Sequence, residues 1–234
     1  MTHEQHHRLF RYLYASPAPR YIAIEGPDGV GKSTATRALA KLLAATAEYV
    51  NQDIANHTEK RAKVVTVSEP GTTHYAKALR KLILHESGEE VSKTAIALTF
   101  LAARADTVAH VEQKIADNCL VLTDRCWLST DVYQHLEGVD VEKLDQVHKS
   151  LIGLKPHHVF LLDAPDASID ERIDARNEGK DRYEGVGREH TLKVRSHYRQ
   201  YADHPDVTVV AAAGTIDQTA GVIRDLLLQE ASNG

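Results

Sequence analysis

Short apolar runs recur along this chain, each followed by a stretch in which apolar positions return every three or four residues. Tyr21–Ile24, Val64–Val67, Cys119–Leu122, Val159–Leu162 and Val207–Val210 are the runs. Their length, their β-branched content and the turn residues around them predict buried strands. The intervening periodicity predicts helices over about 32–48, 75–85, 93–117, 128–135, 141–151, 167–177, 188–202 and 218–229. Continuous rather than alternating apolar strands, each separated from the next by helix, mean a parallel sheet covered on both faces. The expected fold class is therefore α/β, a doubly wound five-stranded parallel sheet flanked by helices. Ligands of such sheets gather at the carboxyl ends of the strands. The polar residues that follow each run are where chemistry is expected.

The segment before the first strand differs. Residues 1–19 hold His3, His6 and His7 and close on Ser16-Pro17-Ala18-Pro19. Leu9, Phe10, Leu13 and Tyr14 predict one face of a short helix, and the prolines predict a turn or linker. This reads as an N-terminal extension, mobile or docked, ahead of one domain over 20–234. The three histidines have no cysteine or acid at ligand spacing nearby in sequence, which argues against a metal site there. The segment also lacks the apolar stretch of a secretory signal.

Composition narrows the function classes. A net charge of −5 argues against a non-specific nucleic-acid binder. No apolar run is long enough to span a bilayer. Cys119 and Cys126 are too few for a disulfide framework and read as reduced thiols of a cytoplasmic protein.

The strongest motif follows the first strand. Gly26-Pro27-Asp28-Gly29-Val30-Gly31-Lys32-Ser33 fits G-x-x-x-x-G-K-[ST] in full, with Thr34 next in the helix. Glycines at this spacing let successive backbone N–H groups face phosphate oxygens, and the helix adds its positive end. Lys32 is placed to reach the β- and γ-phosphates of a nucleoside triphosphate, and the Ser33 hydroxyl to ligate Mg²⁺. Asp124, at the end of the third strand, is the expected carboxylate near that ion. This much implies ATP and Mg²⁺ but leaves the acceptor open, since switch proteins and motor ATPases share the loop.

Further segments carry a resemblance. Ser68-Glu69-Pro70-Gly71-Thr72-Thr73 looks like R-E-P-G-G-T. Phe100 and Arg104 lie in a helix resembling F-x-x-x-R. Asp124-Arg125, Ser129-Thr130 and Tyr133-Gln134 look like D-R-x-x-x-S-x-x-A-Y-Q. Asp163 ends a strand like the L-D strand, followed by Arg172, Arg176 and Arg182. In this order and with the loop, they resemble the thymidylate kinase family of P-loop nucleoside monophosphate kinases. The likeness spans about 21–201.

The resemblance implies transfer of the γ-phosphate of ATP to dTMP by a homodimeric enzyme. It assigns Phe100 and Arg104 to the thymine, with Thr130 and Gln134 lining the base pocket and Tyr133 on the sugar. It assigns Arg125 to the acceptor phosphate and Glu69 to the acceptor site. Arg172, Arg176 and Arg182 become catalytic residues of a short lid over about 172–187.

Bland alternatives stand beside these roles. Phe100 also suits core packing, and Thr130 and Tyr133 ordinary helix packing. The lid arginines have Glu171, Asp174 and Glu178 as potential ion-pair partners, and Asp163 also suits a cap before Pro165. Ser68, Thr72, Cys126 and Trp127 depart from the family pattern, and the phosphate loop contains no arginine. These departures bear on substrate preference more than on reaction type. The competing acceptors are another nucleoside monophosphate or a deoxynucleoside. A deoxynucleoside would need a base for its hydroxyl proton, and Glu25 and Glu69 are the candidates. A nucleotide-binding switch is the alternative of a different class.

Overall fold

The computed structural model describes residues 1–15, 20–53, 61–86, 91–174 and 188–233. β1 (Tyr21–Glu25) is buried along its whole length because it lies at the centre of a five-stranded sheet, ordered β2-β3-β1-β4-β5. The other strands are β2 (Lys63–Ser68), β3 (Cys119–Asp124), β4 (His158–Asp163) and β5 (Val207–Ala211). Every pairing is parallel. Side chains alternate across the sheet, as the pleat requires. Ile22, Ile24, Leu120, Leu122, Phe160 and Leu162 enter one core. Ala23, Val159 and Leu161 enter a second on the opposite face, with Trp127, Leu128 and Tyr198.

The first core is covered by α1 (His3–Tyr14), α2 (Lys32–Asp53) and α9 (Ile216–Asn233). α3 (His74–Lys81), α4 (Lys93–Ala116), α5 (Trp127–Leu136) and α6 (Val141–Val147) follow β2 and β3. α7 (Asp166–Asp174) and α8 (Arg188–Arg199) follow β4. Two predicted helices are shorter as α-helix than their periodicity suggested. α3 passes into a wider π-type turn at Leu82–Glu86, and α6 into another at His148–Ile152. A π turn keeps apolar positions near helical spacing, so periodicity alone does not separate it from α-helix.

α1 is docked. Leu9 and Leu13 are fully buried in the first core. The Tyr12 hydroxyl donates to Glu230 on α9, and the Tyr14 hydroxyl donates to the Lys63 carbonyl at 2.8 Å. A Thr2–Gln5 capping box starts the helix.

The register places the chemistry. Ile24 and Ser68 both stand opposite Asp124. The carboxyl ends of β1, β2 and β3 therefore converge, and the loops after them share one crevice, as open α/β sheets with reversing strand order provide.

Candidate active site

The loop after β1 wraps the start of α2 in backbone conformations that only glycine adopts readily. Gly26 has φ +140°, and a Cβ there would lie 2.6 Å from the Leu162 carbonyl oxygen on β4. Gly29 has φ +84°, and its Cβ would collide with Ile169 and Ile173 of α7. The loop is thus packed against its neighbours. Val30 is buried in the first core and anchors it. Lys32 is almost fully buried at the loop mouth, its Nζ donating to the Pro27 carbonyl at 2.9 Å and to Asp28 at 3.4 Å. Burial, then the nearby Arg125 charge, lowers its pKa.

Ser33 donates a short hydrogen bond to Asp124 Oδ2, so the two expected metal ligands meet across the crevice. Asp124 Oδ1 is buried with no hydrogen-bond partner. A buried carboxylate oxygen without a donor is costly unless a cation serves it. Hydroxyl and carboxylate oxygens are also the hard donors that Mg²⁺ takes. These residues fit the ion.

Arg125 follows Asp124 with φ +74°, a strained value for a side-chain-bearing residue. Its N–H donates to the Ile24 carbonyl at 3.0 Å, which holds the turn. Below it lies Glu25, fully buried. Glu25 accepts the Cys126 N–H at 2.7 Å, the Ser129 N–H at 3.1 Å, and the Ser129 and Tyr198 hydroxyls at 3.0 Å each. This buried carboxylate ties β1 to the start of α5 and fixes the direction of Arg125. Ser129 also accepts from Arg125 Nη1 at 3.0 Å. Sequence reasoning missed this positioning role, although an acid ending an apolar central strand was a visible signal.

Asp28 takes a short bond from Arg125 Nη2 and another from the Tyr133 hydroxyl at 2.6 Å. Burial works to raise its pKa, but the Arg125 and Lys32 charges outweigh that and hold the carboxyl well below its usual range. Burial likewise opposes the Arg125 charge, and Asp28 reverses the balance, so the guanidinium is held protonated.

Two cavities open on this junction. One, ≈ 720 Å³, is lined by Gly29, Gly31 and the start of α2 (Lys32 to Thr34), with Ser68, Glu69 and Asp124. The other, ≈ 480 Å³, is walled by Phe100, Arg104, Thr130, Tyr133, Gln134 and Pro70. Asp28, Arg80 and Arg125 line both. Phe100 is half-buried on the second cavity and is not part of the buried cores. Arg80, on α3, escaped the sequence reading because a basic residue in a helical turn looks like any solvated one.

Arg104 is nearly fully buried. Its Nε donates to Glu69 at 2.8 Å, its Nη1 to Thr130 Oγ1 at 2.7 Å, and its Nη2 to the Cys126 carbonyl at 2.7 Å. Glu69 is further held by the Tyr21 hydroxyl. The pair closes the back wall of the cavity, and three of the five guanidinium N–H groups serve the protein itself.

None of the four family departures lines the second cavity. Cys126 and Trp127 are buried in the second core. Ser68 and Thr72 bond each other, the Thr72 hydroxyl accepting the Ser68 N–H at 2.8 Å and donating to its carbonyl. Asp163 accepts from Arg199 of α8 at 3.2 Å, an ion pair joining β4 to that helix. Arg172 lies in α7, but its side chain is outside the described residues, as are Arg176 and Arg182.

Known proteins match the sequence of this chain over most of its length. The family model for thymidylate kinase matches residues 24–223. The thymidylate kinase of Symbiobacterium thermophilum is 32% identical over 213 residues, covering 88% of this chain and 92% of that protein. That of Dinoroseobacter shibae is 34% identical over 194 residues, covering 82% and 87%. A probable thymidylate kinase of Thermococcus kodakarensis is 32% identical over 225 residues, covering 90% of this chain and 100% of its own. The phosphate loop, the Asp-Arg turn and the apolar-walled cavity beside them therefore sit in a chain that belongs to the thymidylate kinase family.

Proposed function

We propose that this protein transfers the γ-phosphate of ATP to the 5′-phosphate of dTMP, giving dTDP. The observation that carries the reading is the junction of the two cavities. A polar one is built on the phosphate loop, an apolar-walled one holds Phe100, and Arg125 stands where they meet. ATP occupies the first, on the backbone from Gly26 to Thr34, with Lys32 on its outer phosphates. dTMP occupies the second, its base against Phe100 and between Thr130, Tyr133 and Gln134. The Arg104–Glu69 pair shapes the end of that slot.

The nucleophile is an oxygen of the acceptor phosphate. With a second pKa near ~6 it is largely dianionic at neutral pH, so no general base is needed. Glu25, the first candidate for a base, is buried and accepts several hydrogen bonds, and Glu69, the second, is buried with both oxygens engaged by Tyr21 and Arg104. That disfavours a nucleoside acceptor, whose hydroxyl would have to lose a proton. The barrier is the approach of two anionic phosphates. Lys32 and Arg125 offset that repulsion, and Asp28 keeps the Arg125 fork aligned before substrate arrives. Ser33 and Asp124 would hold Mg²⁺, which supplies charge neutralisation on the β- and γ-phosphates. Arg172 of α7, and Arg176 and Arg182 beyond it, are proposed to bring further positive charge as parts of a lid and to exclude water.

A homodimer in the cytoplasm completes the reading. Leu98 on α4, Leu82 just after α3 and Tyr75 on α3 are exposed and suit an interface. No helix among the described residues is long and apolar enough to cross a membrane.

The test is ADP release from ATP and Mg²⁺ with dTMP, dUMP, dGMP, thymidine or no acceptor. dTMP should dominate. dUMP lacks one methyl group, worth roughly 10–200-fold in kcat/KM. Dominance of another monophosphate would keep the phosphate chemistry and overturn the base assignment. ADP formed equally without acceptor would mean an ATPase.

A further inference from the structure

Away from the nucleotide cavities, the fold brings two histidines of α1 against the end of α2. His3 and His7 are four residues apart and share a helix face. Asp53 is the last residue of α2. One ligand atom from each of the three lies within 4.8 Å of the others. We propose that His3, His7 and Asp53 form a binding site for a divalent transition metal of the Zn²⁺ class, clipping α1 to the carboxyl end of α2.

Three observations point to a cation rather than a plain surface contact. His7 Nε2 is buried and stands 2.8 Å from Asp53 Oδ2, yet the two are not aligned as a hydrogen bond. A ring nitrogen and a carboxylate oxygen this close, but off a hydrogen-bond line, are placed to share a bound cation. Tetrahedral Zn²⁺ with bonds of about 2.0–2.1 Å sets ligand atoms roughly 3.3 Å apart. This pair needs to open by about half an ångström, and the third atom, within 4.8 Å of the others, to close toward the same spacing.

The Tyr49 hydroxyl is hydrogen-bonded to His3 Nδ1 at 2.9 Å, the kind of outer contact that orients a metal-bound imidazole. Lastly, α2 carries no basic residue in its last turn. The negative end of its dipole lies beside the site and favours a cation there. Two imidazoles and one carboxylate are the donors Zn²⁺ takes, and the exposed side of the cluster leaves room for water as a fourth ligand.

Chelator-treated, desalted protein is titrated with Zn²⁺ by calorimetry, in excess Mg²⁺ so that the Ser33–Asp124 site is occupied. Co²⁺ visible absorption reports the geometry, and melting temperature is read without nucleotide. One saturable site per chain is expected, with a melting temperature that rises with Zn²⁺. His7→Gln and Asp53→Asn should each weaken binding at least tenfold. His6→Gln, whose ring stacks on Tyr49 outside the triad, should change it less than twofold. Kinase activity without Zn²⁺ should be the same in all three variants. Absence of saturable binding would overturn the site and leave an ion pair. Equal weakening by His6→Gln would mean a loosely chelating histidine-rich segment. Loss on Asp124→Asn but not on Asp53→Asn would place the metal at the phosphate loop instead.

Discussion

Asp131 lies on α5 beside Trp127, Lys155 and Tyr201. Burial raises its pKa to about 6, against partial relief from Arg104 and Lys155. A carboxyl whose pKa is higher folded than unfolded binds its proton more tightly in the native state. Its cost is therefore absent below the unfolded value near ~3.9, grows as pH rises to about 6, and is constant above that. Asp131→Asn removes the titration and keeps an acceptor for Tyr201. It should stabilise the protein by about 1–3 kcal/mol at pH 8 and by nothing measurable at pH 3.5, read by urea unfolding at both. A gain equal at the two pH values would mean that repacking, not charge burial, sets the effect. Asp28 shows the opposite balance, because Arg125 and Lys32 overcome the same burial cost. Residue type alone predicts neither shift, since the sign rests on neighbours distant in sequence.

Among the elements, α1 behaves as part of the core. Its Leu9–Leu13 face is covered together with α2 and α9, and Tyr12 and Tyr14 tie it to α9 and β2. Leu13→Ala should cost about 2–5 kcal/mol, the usual range for a fully buried leucine. A value near zero in denaturant unfolding would show that α1 is an appendage. α8 is pinned just as firmly. Its Arg195 is almost fully buried and donates to Asp170 of α7 at 2.7 Å, while Arg199 reaches Asp163. Ion pairs thus join α8 both to α7 and to the end of β4.

At the scale of the whole molecule, the sheet brings three loop systems to one point, and Arg125 occupies it. Arg125→Ala should lower kcat/KM for dTMP by roughly 10²–10³-fold, the usual cost of one charged donor at a developing anion. The rise in melting temperature with MgATP should persist, while the rise with dTMP should vanish. Equal loss of both shifts would make Arg125 a structural residue of the loop. Arg125→Lys separates charge from geometry. It keeps the cation but loses the fork that spans Asp28 and Ser129.

Local patterns alone determined much of this protein. Apolar runs and helical periodicity specified five strands and their order in the chain; β1, β3 and β4 are buried as such runs predict, whereas β2 and β5, at the sheet edges, are only partly covered. Glycine spacing specified the phosphate loop, because at the positive φ of Gly26 and Gly29 a Cβ would run into Leu162 and into Ile169 and Ile173. The order of short motifs pointed to the family. Tertiary structure decided what local pattern does not encode. It set Glu25 beneath Arg125 and brought Arg80 to the junction of the cavities. It turned Phe100 toward a cavity, and Cys126 and Trp127 into the core. It also set Asp53 against His3 and His7. Each of these depends on contacts between segments far apart in the chain, and strand register and helix docking, rather than any local periodicity, choose those partners.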